Sequence, residues 1–316
     1  MLHTLDHFGD IPRECQGGIV SIGNFDGVHR GHVQLVQCFA RIARERHVPA
    51  VAVTFHPHPV ELLRPEQSPA PLNSTERKAE LLHEHGADEV VVIRTTLELL
   101  RLTAEEFFDA VIHGSMHAAG LVEGPNFGFG RDRSGTITTL NRLCAGSNMR
   151  LEVVDPLAID GQVVSSSRAR QCLAAGDMEH AARLLGRSHR VRGRVVTGAG
   201  RGRALGFPTA NLSDCAVFLP ANGVYAARAT ANAETWPAAV HVGPNATFGE
   251  SARTIEAHLI GFQGDLVGRT IDLDFVERLR ETVPFASVAE LVRQIERDVE
   301  QTRAIVAVGR AAGPAP

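Results

Sequence analysis

Ile19-Val20-Ser21-Ile22-Gly23-Asn24-Phe25-Asp26-Gly27-Val28-His29-Arg30-Gly31-His32 reads as a short strand, a glycine-rich turn and the opening of a helix. Its first four residues are mostly apolar and β-branched, as in a strand buried on both faces. Beyond it, Val33, Val36, Phe39, Ala40 and Ala43 recur at helical spacing. A buried strand feeding a helix through such a loop is the building unit of a parallel α/β sheet. In these sheets ligands bind beyond the carboxyl ends of the strands, so the loop falls where a site belongs.

The same alternation continues. Short apolar runs at 51–55, 89–93, 119–122 and 151–154 read as further parallel strands, with a helix over 74–85 stopped by Gly86. Thr103-Ala104-Glu105-Glu106 is a capping-box pattern that opens a helix carrying Phe107, Phe108 and Val111. Around Gly186 the texture changes. Residues 190–196, 223–229, 238–242, 254–260 and 270–276 alternate in the manner of strands between Gly, Pro and Asn, with no helix expected before 288–302. The expected architecture is α/β plus β. Residues 1–186 form a doubly wound, Rossmann-like domain, and residues 187–316 form an antiparallel β-barrel closed by a terminal helix, with a frayed tail over 309–316.

Composition agrees with two globular domains. The chain has 316 residues, 44% hydrophobic and 22% charged. No run approaches the roughly 20 apolar residues of a membrane span, and the first residues lack the basic-then-apolar layout of a secretory signal. Five dispersed cysteines argue against a disulfide framework or a Cys-based zinc site, which places the chain in the cytoplasm. Net charge is −4 with no basic run, so neither nucleic acid nor membrane is an expected partner. Small-molecule substrates are expected, acting on a monomer or weak homo-oligomer. Lys78 is the only lysine and no P-loop pattern is present, so phosphate binding would fall to Arg, His, backbone amides or metal.

His29 and His32 are three residues apart and share a face of the first helical turn, with Gly31 between them. Free amides and the positive dipole end of a helix attract phosphate, and two imidazoles add donors where an α-phosphate gains charge. Surface histidines or a pair of metal ligands are the competing readings. The loop's position at the ligand edge and the lack of a third ligand nearby favour nucleotidyl transfer. Gly23, Asn24, Phe25 and Asp26 belong to the same loop. Gly124-Pro125-Asn126-Phe127-Gly128-Phe129-Gly130-Arg131 offers the Asn126 amide and an aromatic pair that reads equally as core or as stacking platform. Ser165-Ser166-Ser167-Arg168-Ala169-Arg170 opens a helix with hydroxyls and two guanidiniums, while a plain serine N-cap explains it as well. His56-Pro57-His58-Pro59 closes the second strand, and a structural role fits these histidines best.

In the second half, Gly198, Gly200, Arg201, Gly202, Arg203 and Gly206 run into Phe207-Pro208-Thr209-Ala210-Asn211. Glycine amides can wrap phosphate, and the oxygens of Thr209 and Asn211 are hard ligands suited to Mg²⁺, although a surface loop reads equally well. Glu256 sits on an alternating strand where a carboxylate could take a proton from an alcohol, against the plainer reading of a solvated glutamate.

Taken together, the motifs at 23–32, 54–59, 126–130, 165–170, 186–212, 242–248 and 256–268 resemble, in order, the bacterial bifunctional riboflavin kinase/FMN adenylyltransferase (FAD synthetase) family. The resemblance implies a nucleotidyltransferase domain that adenylylates FMN with ATP, releasing pyrophosphate, and a kinase domain that phosphorylates riboflavin, with Mg²⁺ in both steps. It implies that His29, His32, Asn126, Ser166 and Arg170, with Ser167 and Arg168 beside them, surround ATP and FMN. In the kinase, Gly198, Gly200, Arg201, Gly206 and Pro208 would line the nucleotide and flavin site. Thr209 and Asn211 would hold metal and phosphate, and Glu256 would act as base. Ser167 stands where the family usually has Thr, Ala169 replaces a larger aliphatic and Ala246 replaces a common Pro. Another nucleotidyltransferase with the same histidine device would not explain 190–283. A flavin sensor without catalysis would not need His32 and Glu256.

Overall fold

Residues 1–244 and 253–311 are described by the structure, a computed structural model, with side chains through residue 307. Ala246 and residues 312–316 of the expected frayed tail lie outside the described residues.

Five strands form where the apolar runs lie: β2 (Ile19–Ile22), β3 (Ala50–His56), β4 (Glu89–Arg94), β5 (Gly120–Glu123) and β6 (Arg150–Val153). A sixth, β1 (Leu2–Leu5), was not expected. It pairs parallel with β4 at the sheet edge and is pinned there by His3 Nε2, 2.8 Å from Glu89 Oε2. The order β1-β4-β3-β2-β5-β6 is parallel throughout. Its direction of winding reverses between β2 and β5, so the loop after β2 leaves the sheet at the topological switch point.

The α-helices of this half are α1 (Arg30–Arg46), α2 (Pro59–Leu63), α3 (Thr75–Glu84), α4 (Leu97–Arg101), α5 (Ala104–Phe107), continued by a π-helical stretch over Phe108–Ser115, and α6 (Ile137–Gly146). The capping box at α5 is present in both directions between Thr103 and Glu106. Two cores result. One packs α1 residues such as Val36, Phe39 and Ala43 against Val90 and Val92, and the other packs Phe107, Phe108 and Val111 against Val20 and Val53. Their separation follows from strand residues pointing alternately to the two faces.

After a small hairpin, β7 (Ala158–Ile159) and β8 (Gln162–Val163), come α7 (Ser166–Ala175) and α8 (Met178–Leu185). By packing, the chain forms two compact units, Met1–Pro69 with Asn73–Ser165, and Ala70–Leu72 with Ser166–Pro316. The packing division thus falls about twenty residues before the expected 186/187 boundary. Ala169, Leu173, Met178, Ala181 and Leu185 bury their apolar faces in the core of the second unit, which draws α7 and α8 into it.

The second unit is a closed six-stranded barrel, β10-β13-β12-β11-β14-β9. Its strands are β9 (His189–Val196), β10 (Ala210–Ser213), β11 (Gly223–Ala231), β12 (Glu234–Gly243), β13 (Thr254–Leu259) and β14 (Thr270–Arg280). Three details differ from expectation. Residues 210–213 are a strand of the wall, a four-residue helix α9 (Arg201–Ala204) interrupts the glycine-rich loop, and α10 runs over Val288–Ala311. Alternating residues Val191, Tyr225, Ala227, Val240, Val242, Ala257 and Leu273 fill the interior. Outside, Arg190 and Arg192 make bidentate pairs with Asp274 and Asp272, the residues directly opposite them, which fixes the β9–β14 register. Helix α10 is tied to β14 by Arg280, whose Nη2 donates to the buried Asp298 carboxylate at 2.8 Å.

Candidate active sites

At the switch point, β2 ends and Gly23 N–H donates to Val53 O at 2.9 Å, holding the loop over β3. Phe25, Gly27 and Val28 have positive φ (44°, 80° and 38°), a tight path on which Phe25 and Val28 turn fully inward. His29 then caps α1. Its Nδ1 accepts from His32 N–H at 3.3 Å, so a neutral His29 ring carries its proton on Nε2. The two imidazoles stack with centroids 3.6 Å apart, and Phe25 meets His32 edge-on at 5.4 Å. A Cβ on Gly31 would lie 3.3 Å from the His29 ring, so glycine leaves room for the stacked pair itself.

The loop is braced from below by two residues to which the sequence reading gave no role there. Thr54, fully buried in β3, donates from Oγ1 to Asn24 O at 3.2 Å, and Lys78 Nζ on α3 donates to Thr54 Oγ1 at 3.3 Å. Burial pushes the Lys78 ammonium down, opposed by the charge of the nearly buried Asp26. The chain's only lysine therefore stands beneath the predicted phosphate loop. A single charged residue within a helix reads as solvated, and no local signal reveals otherwise.

Glu123, last residue of β5, is buried and accepts from Ile22 N–H at 2.6 Å through Oε1. Desolvation holds its carboxyl well above the usual carboxylate range. The following loop leaves Asn126 exposed at the same carboxyl edge, its carbonyl accepting from Arg133 Nη2 at 3.3 Å. Phe127 and Phe129 stack at 5.4 Å, with Phe129 inside the core and Phe127 packed against it, so the aromatic pair is core. His58 caps α2, its Nδ1 accepting from Val60 N–H at 3.1 Å, in keeping with a structural role.

Ser166, Ser167, Arg168 and Arg170 open α7 and pack with the second unit. There the Arg170 guanidinium donates to Ala70 O from Nε and Nη2 at 3.1 and 3.0 Å, and Ala169 is buried in the core.

The second unit contains a cavity of about 370 Å³ on the outer face of the barrel wall. Its floor is one row of directly opposed residues across five strands: Asn211 (β10), Glu256 (β13), His241 (β12), Val224 (β11) and Arg280 (β14). Opposed residues of antiparallel strands share a face, which is why this row points one way while Ile255, Ala257 and Leu259 fill the barrel. The glycine-rich loop with Gly200 and Arg201 forms one side of the cavity, and Val283, Phe285, Leu291 and Ile295 form an apolar side. Thr209 Oγ1 lies 3.5 Å from Glu256 Oε2, and Pro208 O accepts a hydrogen bond from His258 Nδ1 at 2.8 Å. A second cavity, about 350 Å³, lies against Gly198, Arg203 and Leu266 and shares Gly200, Thr209 and Asn211 with the first. Thr209, Asn211 and Glu256 thus come together, as expected, and their hydroxyl, amide and carboxylate oxygens are the donor set of a hard cation. Gly206, with φ 88°, ends the turn after α9 and lines neither cavity. His241 was not expected here. Burial pushes its imidazole down, opposed by Glu256 and reinforced by Arg280.

Such an arrangement offers a polar floor with one carboxylate, an apolar wall and a neighbouring pocket across shared oxygen ligands. It suits transfer of a phosphoryl group to an alcohol.

Two family patterns match the chain, FAD synthetase over residues 11–168 and riboflavin kinase over 185–306. A bifunctional riboflavin kinase/FMN adenylyltransferase of Pseudomonas fluorescens is 36% identical over 93% of this chain and 94% of its own length. Its Listeria monocytogenes counterpart is 31% identical over 96% of each. A crystal structure from Streptococcus pneumoniae, described as that of a macrolide-efflux protein, superposes with a TM-score of 0.87 at 31% identity, covering 96% of this chain and 98% of that one. Among the described residues, no helix is long and apolar enough to cross a membrane.

Proposed function

We propose a division of labour among named residues from one premise: the chain belongs to the bifunctional riboflavin kinase/FMN adenylyltransferase family. It phosphorylates riboflavin to FMN and adenylylates FMN to FAD, using ATP in both steps.

For FAD formation, the FMN phosphate oxygen attacks the α-phosphorus of ATP, and the bond to pyrophosphate breaks. The nucleophile is already ionised, so the protein's task is alignment and charge stabilisation. His29 and His32 at the N-terminus of α1 are assigned to the α-phosphate, with the 23–26 loop and Asn126 around the substrates. The stacked imidazoles and the His29 Nε2 proton support this reading.

For FMN formation, the terminal ribityl hydroxyl attacks the γ-phosphorus, the bond to the β-phosphate oxygen breaks, ADP leaves and Glu256 takes the hydroxyl proton. The observation that carries this reading is the shared row of Asn211 and Glu256 on a cavity floor, with Thr209 at 3.5 Å from the carboxylate. Riboflavin is assigned to the cavity with the apolar wall and ATP to the neighbouring one. Thr209 and Asn211 would hold Mg²⁺, which when bound neutralises charge on the transferring phosphates. By function, residues 1–186 are assigned to adenylyl transfer and 187–316 to the kinase. Five free cysteines support a reducing compartment, the cytoplasm, and small-molecule substrates are the only partners assigned to a monomer or weak homo-oligomer.

The Mg²⁺ dependence of each reaction tests the metal assignment. Thr209→Val and Asn211→Leu should each raise the Mg²⁺ concentration for half-maximal riboflavin phosphorylation about tenfold or more, the cost of a lost ligand of roughly 1.4 kcal/mol. The Mg²⁺ dependence of FAD formation from FMN should not move. Unchanged dependence of the kinase in both variants would remove the two residues from the metal site.

A further inference from the structure

His241 occupies the position next to Glu256 on the cavity floor, directly opposite it across the β12–β13 pairing. Asn211 stands opposite Glu256 on the other side. The floor therefore has an order: Asn211 on the side of the shared oxygen ligands, then the carboxylate, then an imidazole, then apolar Val224. Adjacent strands are about 5 Å apart, so His241 lies one strand further from the phosphate side than the base. A linear polyol whose terminal hydroxyl meets Glu256, and whose ring end lies on the apolar wall, passes over His241.

The imidazole has a defined polarity. Its Nδ1 is buried beyond the reach of water and has no hydrogen-bond partner among the described residues. A proton there would make it an unpaired buried donor, at a cost of roughly 1–3 kcal/mol. The favoured neutral tautomer carries the proton on Nε2, and the ring lines the cavity.

We propose that His241 is a specificity-determining residue of the kinase, donating from Nε2 to a non-reacting secondary hydroxyl of the ribityl chain. The inference rests on the assignment of riboflavin and Glu256 to this cavity. It makes the site a reader of polyol chains: an alcohol attached to a similar ring system but lacking that hydroxyl is disfavoured because it leaves the Nε2 donor unpaired.

The test is steady-state phosphorylation of riboflavin and of its monodeoxyribityl analogues by wild-type protein and by His241→Ala, His241→Gln and His241→Asn. Wild type should lose about 10- to 100-fold in kcat/KM on one analogue that keeps its terminal hydroxyl. His241→Ala should lose the same factor on riboflavin yet handle that analogue as well as wild type does, which also shows that its kinase unit is folded. Glutamine places an N–H where Nε2 stands and asparagine places one where Nδ1 stands, so Gln should restore discrimination and Asn should not. Equal discrimination by wild type and His241→Ala, or rescue by Asn alone, overturns the proposal. Glu256→Gln is run alongside. A fully active Glu256→Gln overturns the site assignment and this inference together, whereas an inactive Glu256→Gln with unaltered His241→Ala overturns this inference only.

Discussion

Glu123 is a buried acid with one backbone donor, Ile22 N–H, and its carboxyl is held well above the usual range by desolvation. The sign of its effect on stability follows from linkage. A free glutamate ionises near pH 4.3, so above that pH the unfolded chain releases a proton that the folded state retains. Stability then falls as pH rises, from the unfolded value up to the raised folded one. Glu123→Gln keeps the acceptor for Ile22 and removes the ionisation. Thermal unfolding should show the glutamine variant more stable at pH 8, with the advantage shrinking as pH falls toward 4; an advantage independent of pH would contradict the account. None of this was legible in sequence, because Glu123 ends an apolar run where a charged residue ordinarily marks the exit to solvent. Its burial is imposed by β2 lying alongside. The helix start at His29 was legible for the opposite reason, since strand, glycine loop and helix start are all local signals that agree.

At the scale of elements, the glycine-rich loop after β2 depends on two others, β3 through Thr54 and α3 through Lys78. Lys78→Met should keep the aliphatic stem packed while removing the charged donor beneath Asn24 and Asp26. A hydrogen bond to a charged group contributes roughly 1.5–3 kcal/mol, so kcat/KM for FAD formation should fall about tenfold or more. Riboflavin phosphorylation by the same preparation should be unchanged, and Lys78→Arg should recover part of the loss. Wild-type FAD formation by Lys78→Met would show that the brace does not shape the site. The elements missed in sequence share a cause. Strand β1 is four residues at the chain start whose alternation gains meaning only against β4. Strand β10 carries Asn211 and Ser213 and is defined by its distant partners β9 and β13. Both are products of long-range pairing that local propensity does not encode. The parallel strands, buried on both faces, announced themselves.

For the whole molecule, the stacked histidines and the carboxylate row lie in separate packing units. The imidazole pair lies in Met1–Pro69 with Asn73–Ser165, and the Glu256 row lies in Ala70–Leu72 with Ser166–Pro316. The expected boundary near 186 came from a change of texture in the sequence, which marks where barrel strands begin. Which helices pack on that barrel is decided by apolar faces, and Ala169, Leu173 and Met178 place α7 and α8 there. Separate machinery for each reaction is tested by chromatographic separation of flavins after incubating wild type, His32→Ala and Glu256→Gln with ATP, Mg²⁺ and either riboflavin or FMN. Wild type should convert riboflavin through FMN to FAD. His32→Ala should accumulate FMN, with FAD formation reduced about 10²- to 10³-fold, and Glu256→Gln should convert FMN to FAD while leaving riboflavin nearly untouched, about 10²- to 10⁴-fold slower. Loss of both reactions in either folded variant, or retention of both, would contradict the account.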